Sequence, residues 1–216
     1  MDTGKRHFPH KTGHNRQLLR KRFLFTGISG NPTFEQIWGQ ICISHIEGEE
    51  TSQYLIDRCL MRPRSLIELI QFCRSHAVNL CHEKINIDDI KQGEEAFSTD
   101  LVTNISLEIL DVYPEAGDIL YEVIESKPLI SRSELDILFN RIIKDDKKRE
   151  DILRLLLWYG FIGLYRKDGD VTYIYNVKYD MKRMWALIKK AESDSLSFYI
   201  NPAFWKGLEI KLGNRI

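Results

Sequence analysis

The 216-residue sequence has no excess of either charge and no long apolar run. Its 31 Lys and Arg residues balance 31 Asp and Glu residues, which excludes a protein that binds nucleic acid through a high overall positive charge. No stretch approaches the roughly 18 apolar residues of a membrane-spanning helix, and the hydrophobic segment of a signal peptide is missing. We therefore predict a cytoplasmic protein that does not enter a membrane.

The chain has only four cysteines, and no two of them form a CxxC pair. All of them lie in or beside apolar helical runs, a setting typical of reduced core residues in a cytoplasmic protein. They are Cys42, Cys59, Cys73 and Cys81. Cys73 and His76 could share one face of a helix, but Cys81 lies two turns further on and His82 points elsewhere. We therefore expect no metal site.

The sequence also lacks the motifs that mark common catalytic sites. It contains no GxxxxGK(S/T) phosphate loop, no GxGxxG, no GxSxG and no HExxH. Adjacent carboxylates occur, but neighbouring side chains on a helix point in different directions, and acids are favoured in first turns by the helix dipole. We predict no catalytic residue and no cofactor in this chain alone, and hence no enzyme activity of its own.

Apolar residues recur at helical spacing through the first half of the chain. Phe34 and Trp38 fit one helix, and a longer helix is predicted to begin at Pro63. Two further helical runs, IDDIKQGEEAF and LVTNISLEILDVY, end before Pro114. No segment here shows a strand of any length, so residues 31–113 are predicted to form a small helical bundle.

The second half has the pattern of a winged helix. One helix is predicted between Pro114 and Lys127, and a second opens with a capping box formed by Ser131 and Glu134. A third, KKREDILRLLLWYGF, contains the glycine that ends it. Two alternating segments, FIGLYRK and VTYIYNV, then flank the tight-turn sequence DGD. Three helices followed by a two-stranded ribbon are the order of a winged helix.

These patterns predict a mainly α fold in four parts. Residues 1–30 form a basic extension, 31–113 a helical lid-like bundle, 114–180 a winged-helix domain with a two-stranded β-hairpin wing, and 181–216 a helical tail. The tail includes an aromatic-rich segment, FYINPAFWKGL, predicted as a short helix. The extension carries seven Lys or Arg residues and three His, with Asp2 as its only acid. We interpret it as a solvated extension or linker, and contact with nucleic acid or a membrane surface is the alternative.

The sequence Arg62-Pro63-Arg64 stands where the longer helix begins. Proline suits the first helical position because it has no N–H to leave unpaired and its φ already fits the helix. The free N–H groups of that first turn favour an anion, which a neighbouring arginine could bind through two hydrogen bonds. The pattern therefore indicates a phosphate contact. The simpler alternative is that both arginines pair with Glu68 or other surface acids.

A longer stretch carries a resemblance to a known family. YLIDRCLMRPRSLIELIQFC, followed by INIDDIKQGEEAFSTDLVTNISLEILDVYP, resembles the C-terminal half of bacterial P-loop ATPases of the STAND/AAA+ type, in which a lid precedes a winged helix. The resemblance extends from about Phe34 to the final FYINPAFWKGLEI. Ser65 stands where the family usually has Asp, and Asn201 where it often has His.

The resemblance implies a regulatory or interaction role. Arg62 or Arg64 would act like the lid arginine that reads the γ-phosphate of a nucleotide, and ATP with Mg²⁺ is implied only together with a partner core that supplies the phosphate loop. In the family that loop lies before the region seen here, so a truncated gene product or a split subunit is expected, and a non-functional remnant is a further alternative. Many relatives belong to bacterial defence and signalling systems.

A second functional class is a stand-alone winged-helix DNA-binding regulator. Its recognition helix and wing would offer cations to a DNA groove. The candidates are Lys147, Lys148, Arg149, Arg154, Arg166 and Lys167. The tyrosine-rich wing and the apolar end of the recognition helix favour protein packing instead.

A lid without its core should also expose an apolar patch, predicted near Phe34, Trp38 and the turn before Pro63.

Overall fold

The computed structural model describes residues 9–25, 30–191 and 196–212. The chain divides into two compact units, an N-terminal unit that ends at Phe97 and a C-terminal unit that starts at Ser98. This division falls inside one long helix, and the predicted domain boundaries at residues 30, 113 and 180 stay predictions. In the described ranges, no helix is both long enough and apolar enough to cross a membrane.

Helices and one small hairpin build the N-terminal unit. They are α1 (Pro9–Phe25), α2 (Phe34–Ile41), β1 (His45–Ile46), β2 (Glu49–Glu50), α3 (Thr51–Asp57), α4 (Pro63–Asn79) and α5 (Ile87–Val112), which continues into the next unit. Thr33 and Gln36 form a capping box at the start of α2. The side-chain oxygen of Asn86 accepts the N–H groups of Asp88 and Asp89 at 2.9 and 3.1 Å and so caps α5.

Close packing joins α4 to α5. A Cβ atom added to Gly93 would lie 2.5 Å from the backbone nitrogen of Cys73, so only glycine permits this approach of the two helices. The carboxyl end of α2 is joined to the start of α5 by a parallel bridge between Cys42 and Ile85. These contacts fix the start of α5 relative to α2 and α4.

The predicted apolar patch near α2 is not exposed. Phe34 is 6% exposed and Trp38 4%, and their rings stack with centroids 5.6 Å apart. Helix α1 packs on α2, and the Arg16 guanidinium lies 5.8 Å from the Phe34 ring centroid. The prediction was wrong because the basic segment, interpreted as a solvated extension, forms a helix over residues 9–25 that packs against this face. Leu19 of α1 is also buried.

The C-terminal unit adds the winged helix. Its elements after α5 are β3 (Leu129–Ser131), α6 (Arg132–Ile142), α7 (Asp146–Tyr159), β4 (Ile162–Tyr165), β5 (Val171–Thr172), α8 (Met181–Ala191) and β6 (Ser197–Ile200), with 3₁₀ turns at Pro114–Ala116, Tyr121–Val123, Ile174–Val177 and Pro202–Phe204. The capping box of Ser131 and Glu134 is present, and Gly160 ends α7 with φ 74°. The predicted mainly α fold with a β-hairpin wing is confirmed.

The sheet of this unit is larger than the predicted two-stranded ribbon. It is antiparallel, with strand order β3-β6-β4-β5, and the β4–β5 pair is the wing. Buried rings fill the space beneath it: Phe161 and Phe204 meet edge to face, 4.8 Å between centroids. Phe198 and Ile200 of β6 are fully buried, and the neighbouring Ser197 and Tyr199 are half-buried, which is the alternation of a strand.

Four local predictions differ from the structure. The segment FYI is strand β6 rather than part of a helix, because it pairs with β3 and β4, which are distant in sequence. The region between Pro114 and Lys127 forms 3₁₀ turns instead of one helix, and Ile124 in it is 45% exposed. The two predicted runs before Pro114 form one helix, α5. Only the first two residues of VTYIYNV form strand β5.

Candidate functional site

The turn before α4 has an unusual backbone. Leu60 and Met61 both adopt left-handed conformations, with φ of 54° and 52°. Non-glycine residues rarely adopt this region, and each such residue adds strain that the surrounding structure must hold. Leu60 is 1% exposed, so its side chain is anchored in the core. The N–H of Arg62 donates to the carbonyl of Cys59 at 3.0 Å, and the chain then enters α4 at Pro63.

The two predicted arginines have different surroundings. The Arg64 side chain is 92% exposed, and its Nε donates to Glu68 Oε1 at 3.0 Å one turn along the helix. This is the simpler alternative considered for the sequence, and a pair of this kind contributes little stability. Arg62 is half-buried at the N-cap, where its side chain does not cap the helix. Both residues stand at the helix start, as the proline predicted.

An open groove of about 770 Å³ runs between α1 and the start of α4. Its lining residues are Leu18, Lys21, Arg22, Pro63, Arg64, Ile67, Glu68 and Gln71. Three of them are cationic and one is acidic. The N–H groups in the first turn of α4 have no carbonyl four residues back within the helix, and the helix dipole adds positive potential there. We call this set of residues the basic groove.

Lys21 and Arg22 were not among the site residues predicted from the sequence. Both side chains are exposed, and neither forms an ion pair with a residue in the described ranges. The basic character of the segment was recognised, but its helix was not. The spacing of Leu18 and Arg22 gives a weak indication of this helix, because residues four apart share one face of a helix.

Buried charges hold the helices behind the groove. Glu94 of α5 accepts the Tyr54 hydroxyl at 2.6 Å and Arg58 Nε at 3.0 Å, and the Arg58 guanidinium lies 3.4 Å from the Tyr54 ring centroid. Burial raises the pKa of Tyr54 well above its ordinary value. The nearby Arg58 charge partly opposes this rise, and the Glu94 carboxylate adds to it. The tyrosine therefore remains a hydrogen-bond donor to the carboxylate, and the three side chains form one connected network.

A second buried acid binds two histidines. The carboxylate of Asp89 is fully buried and lies 2.7 Å from His76 Nδ1 and 3.0 Å from His82 Nδ1. It also accepts the N–H of Asn86 at 2.9 Å. Burial raises the pKa of Asp89, but the hydrogen bonds from Asn86, His76 and His82 outweigh that effect, so the pKa is lowered overall. This cluster stabilises the start of α5.

The cysteines differ in burial. Cys42, Cys59 and Cys73 are buried thiols whose pKa burial raises to about 12. Cys81 is exposed, which corrects the prediction that every cysteine is a core residue. Across the described part of the chain, no group of three or more His, Cys, Asp and Glu side chains has a metal-binding arrangement. The histidines considered as zinc ligands bind Asp89 instead.

Most of the cations predicted to contact DNA form contacts within the chain. Lys148 pairs with Glu115, and Arg149 donates to the carbonyls of Ile143 and Lys144 at 2.8 and 3.0 Å. Arg154 pairs with Glu150 and Asp151, and Arg166 lies 3.8 Å from Asp168. Lys147 is exposed and Lys167 lies at the tip of the wing. The prediction that these residues contact DNA stays a prediction.

A protein-family model matches part of the chain. The model of the FunZ-associated C-terminal helical domain fits residues 15–106, which covers α1 from its middle through most of α5 and includes the basic groove. This match supports an accessory helical domain of a larger protein. Its description names neither a STAND or AAA+ protein, nor an ATPase lid, nor DNA binding. No curated protein and no solved structure matches the chain.

Proposed function

We propose that the chain is a non-catalytic accessory element that binds a P-loop nucleotide-binding core and presents the basic groove to the phosphates of the nucleotide held there. The groove is the observation that carries this proposal. It combines the first turn of α4 with Lys21, Arg22 and Arg64, against a single acid, Glu68. The sequence resemblance to lid-bearing ATPases and the family match to an accessory helical domain agree with this role.

The arrangement suits recognition of a phosphate chain more than a single phosphate. The cations come from two helices that line the groove, α1 and α4, so successive phosphates can each meet a positive side chain. Arg64 can leave Glu68 at small cost, because an exposed pair of this type contributes about 0–1 kcal/mol. The strained turn of Leu60 and Met61, anchored in the core, holds the start of α4 in place for that contact.

The groove supplies charge stabilisation and no chemistry of its own. Phosphoryl transfer needs a phosphate loop, a metal ion and a positioned water, and none of the corresponding motifs occurs in the sequence. The chain alone should therefore release no inorganic phosphate from Mg·ATP. Steady turnover that disappears when Arg62 and Arg64 are both changed to alanine would contradict the proposal.

A direct test uses inorganic tripolyphosphate as the probe. NMR titration at low salt should perturb the amides of Arg64 and Ser65 with a roughly millimolar dissociation constant. The double substitution Lys21→Ala and Arg64→Ala should remove the perturbation. Arg74→Ala, an exposed change in the same helix but outside the groove lining, is the matched control and should leave it intact. An unchanged spectrum of the wild type at saturating probe would contradict phosphate recognition by the groove.

A further inference from the structure

Helix α8 in the C-terminal unit has a cationic outer surface. Its exposed residues are Lys182, Arg183, Ala186, Lys189 and Lys190, and no acid occurs within the helix. The opposite face is apolar, and Met184 and Ile188 on it are fully buried. Asp180 lies just before the helix, where its side chain accepts the N–H of Arg183 at 3.0 Å as a cap. The helix therefore presents several positive charges and no negative one.

Aromatic side chains lie beside these cations. The Arg154 guanidinium of α7 stacks over Trp185 of α8, 4.6 Å from the ring centroid, and so joins the outer surfaces of the two helices. Trp158 and Tyr179 meet edge to face at 5.7 Å, and they are 43% and 37% exposed. We call the surface formed by these residues the α7–α8 face. It consists of Arg154, Trp158, Tyr179, Lys182, Trp185 and Lys189.

We propose that the α7–α8 face binds single-stranded nucleic acid, with Lys182 and Lys189 on the phosphates and Trp158 as the surface on which a base stacks. The two lysines are seven residues apart, so their Cα atoms are separated by about 10 Å along the helix. An exposed indole beside such a row is the usual platform for an unpaired base.

Among the described residues, the charges around the face leave Lys182 and Lys189 available. Glu150 and Asp151 pair with Arg154 at 3.2 and 3.4 Å, which directs Arg154 to orient Trp185 rather than to contact a phosphate. Lys182 and Lys189 form no ion pair with any residue in the described ranges. The phosphate contacts therefore fall to α8, and not to the α7 cations that the winged-helix pattern first indicated.

Burial distinguishes nucleic acid from a membrane surface. A basic amphipathic helix that lies on a bilayer inserts its apolar face between the headgroups. In α8 that face is already used, because Met184 and Ile188 have no exposed surface. The exposed ring of Trp158 also offers a surface on which an unpaired base can stack. This proposal is independent of the basic groove in the N-terminal unit.

The test measures fluorescence anisotropy of labelled oligonucleotides of about 20 nucleotides, a length that exceeds the site of one small binding domain. Oligo(dT), oligo(U) and a duplex are titrated with the full chain between about 50 and about 200 mM salt. We expect saturable binding of the single strands that is tighter than binding of the duplex, and the ratio of the dT and U affinities identifies DNA or RNA as the preferred source. The double change Lys182→Gln and Lys189→Gln should weaken binding about tenfold or more. It should also make the slope of log affinity against log salt concentration shallower by about 1.4, because two phosphate contacts are lost.

Four further variants separate direct contact from a change in folding. Lys182→Arg with Lys189→Arg keeps the charge and should keep both affinity and salt dependence. Arg74→Gln with Lys91→Gln removes the same charge from exposed positions of the N-terminal unit and should leave binding unchanged. Trp158→Ala should weaken binding about fivefold or more, and Trp158→Phe should restore most of it.

Several outcomes would overturn the proposal. They are an absence of saturable binding at low salt, equal loss of affinity in the control double variant, tighter binding of the duplex than of the single strand, and capture of phosphatidylserine vesicles through Lys182 and Lys189 without binding of oligonucleotides. An acidic peptide that binds the face while the oligonucleotides do not would also overturn it.

Discussion

The interiors of the two units differ in chemistry. The N-terminal unit buries polar and charged side chains, among them the carboxylates of Asp89 and Glu94, whereas the buried polar residues of the described C-terminal unit are Ser98, Ser106 and Asn201. The described C-terminal unit buries large rings such as Phe161 and Phe204, and none of its described carboxylates is buried. A ring core stabilises by removing apolar surface from water, while a buried acid is favourable only if every partner is in place.

This difference indicates where each unit is vulnerable. In the N-terminal unit, several buried polar atoms have no hydrogen-bond partner among the described residues, including Asn15 Nδ2, Trp38 Nε1 and Gln53 Oε1. Such atoms weaken a core, and proteins that keep them usually do so at functional sites. The same unit contains the strained turn and the basic groove. The C-terminal unit, by contrast, can lose a methyl group and still keep its core.

The largest effect is expected at Glu94. Glu94→Ala leaves the Arg58 charge and the Tyr54 hydroxyl buried without their acceptor, which should lower the free energy of unfolding by about 3–5 kcal/mol. Urea denaturation followed by circular dichroism measures this loss. The exposed neighbour gives the matched control, since Glu95→Ala should change stability by less than about 0.5 kcal/mol. Equal effects of the two substitutions would show that the network contributes nothing.

The sequence predicted parts of the molecule whose signals are local. Caps and turns, such as the box of Ser131 and Glu134, Pro63 at the start of α4 and Gly160 after α7, depend on a few adjacent residues, and the structure has them all. Strand β6 and the packing of α1 on α2 depend on partners far away in the sequence. No local pattern encodes those partners, so strands β3 and β6 and the burial of Phe34 were not predicted.

The same distinction applies to the candidate site. The arginines next to Pro63 were found because their role depends on the helix start beside them. Lys21 was missed because it reaches the groove only through the packing of α1 on α4, and the partners of Glu94 were missed because they lie about 40 residues away along the chain. A buried network between distant segments is visible only after folding.

A smaller and pH-dependent effect is expected at Asp89. Asp89→Asn removes the charge that two histidines and the Asn86 N–H contact, and should cost about 1.5–3 kcal/mol at neutral pH. Because the pKa of Asp89 is lowered in the folded state, its stabilisation is complete above the unfolded pKa, near 4, and is lost as the pH falls through the lower folded pKa. The difference between wild type and variant should therefore shrink from about pH 5 downwards. The exposed Asp88→Asn control should show no such convergence, and a difference that grows in acid would contradict the lowered pKa.

The apolar core of the C-terminal unit should tolerate trimming better. Ile162 of β4 is 1% exposed, and Ile162→Val removes one methyl group at a cost of about 0.5–1.5 kcal/mol. Ile137→Val, at a position that is 63% exposed, should have almost no effect when both are measured by urea denaturation. A loss at Ile162 as large as that at Glu94 would remove the contrast between the two interiors.

The smallest effect is expected for the ion pair in the basic groove. A double-mutant cycle of Arg64→Ala and Glu68→Ala, measured by urea denaturation, should give a coupling free energy of about 0.3–0.5 kcal/mol, because the Arg64 side chain is 92% exposed and water screens the pair. Raising the salt concentration should reduce the coupling further. A coupling well above about 1 kcal/mol would mean that Arg64 is held for structural reasons, and it would then be a poor candidate for a phosphate ligand. A weak coupling leaves the arginine able to exchange Glu68 for a phosphate, which the proposed function requires.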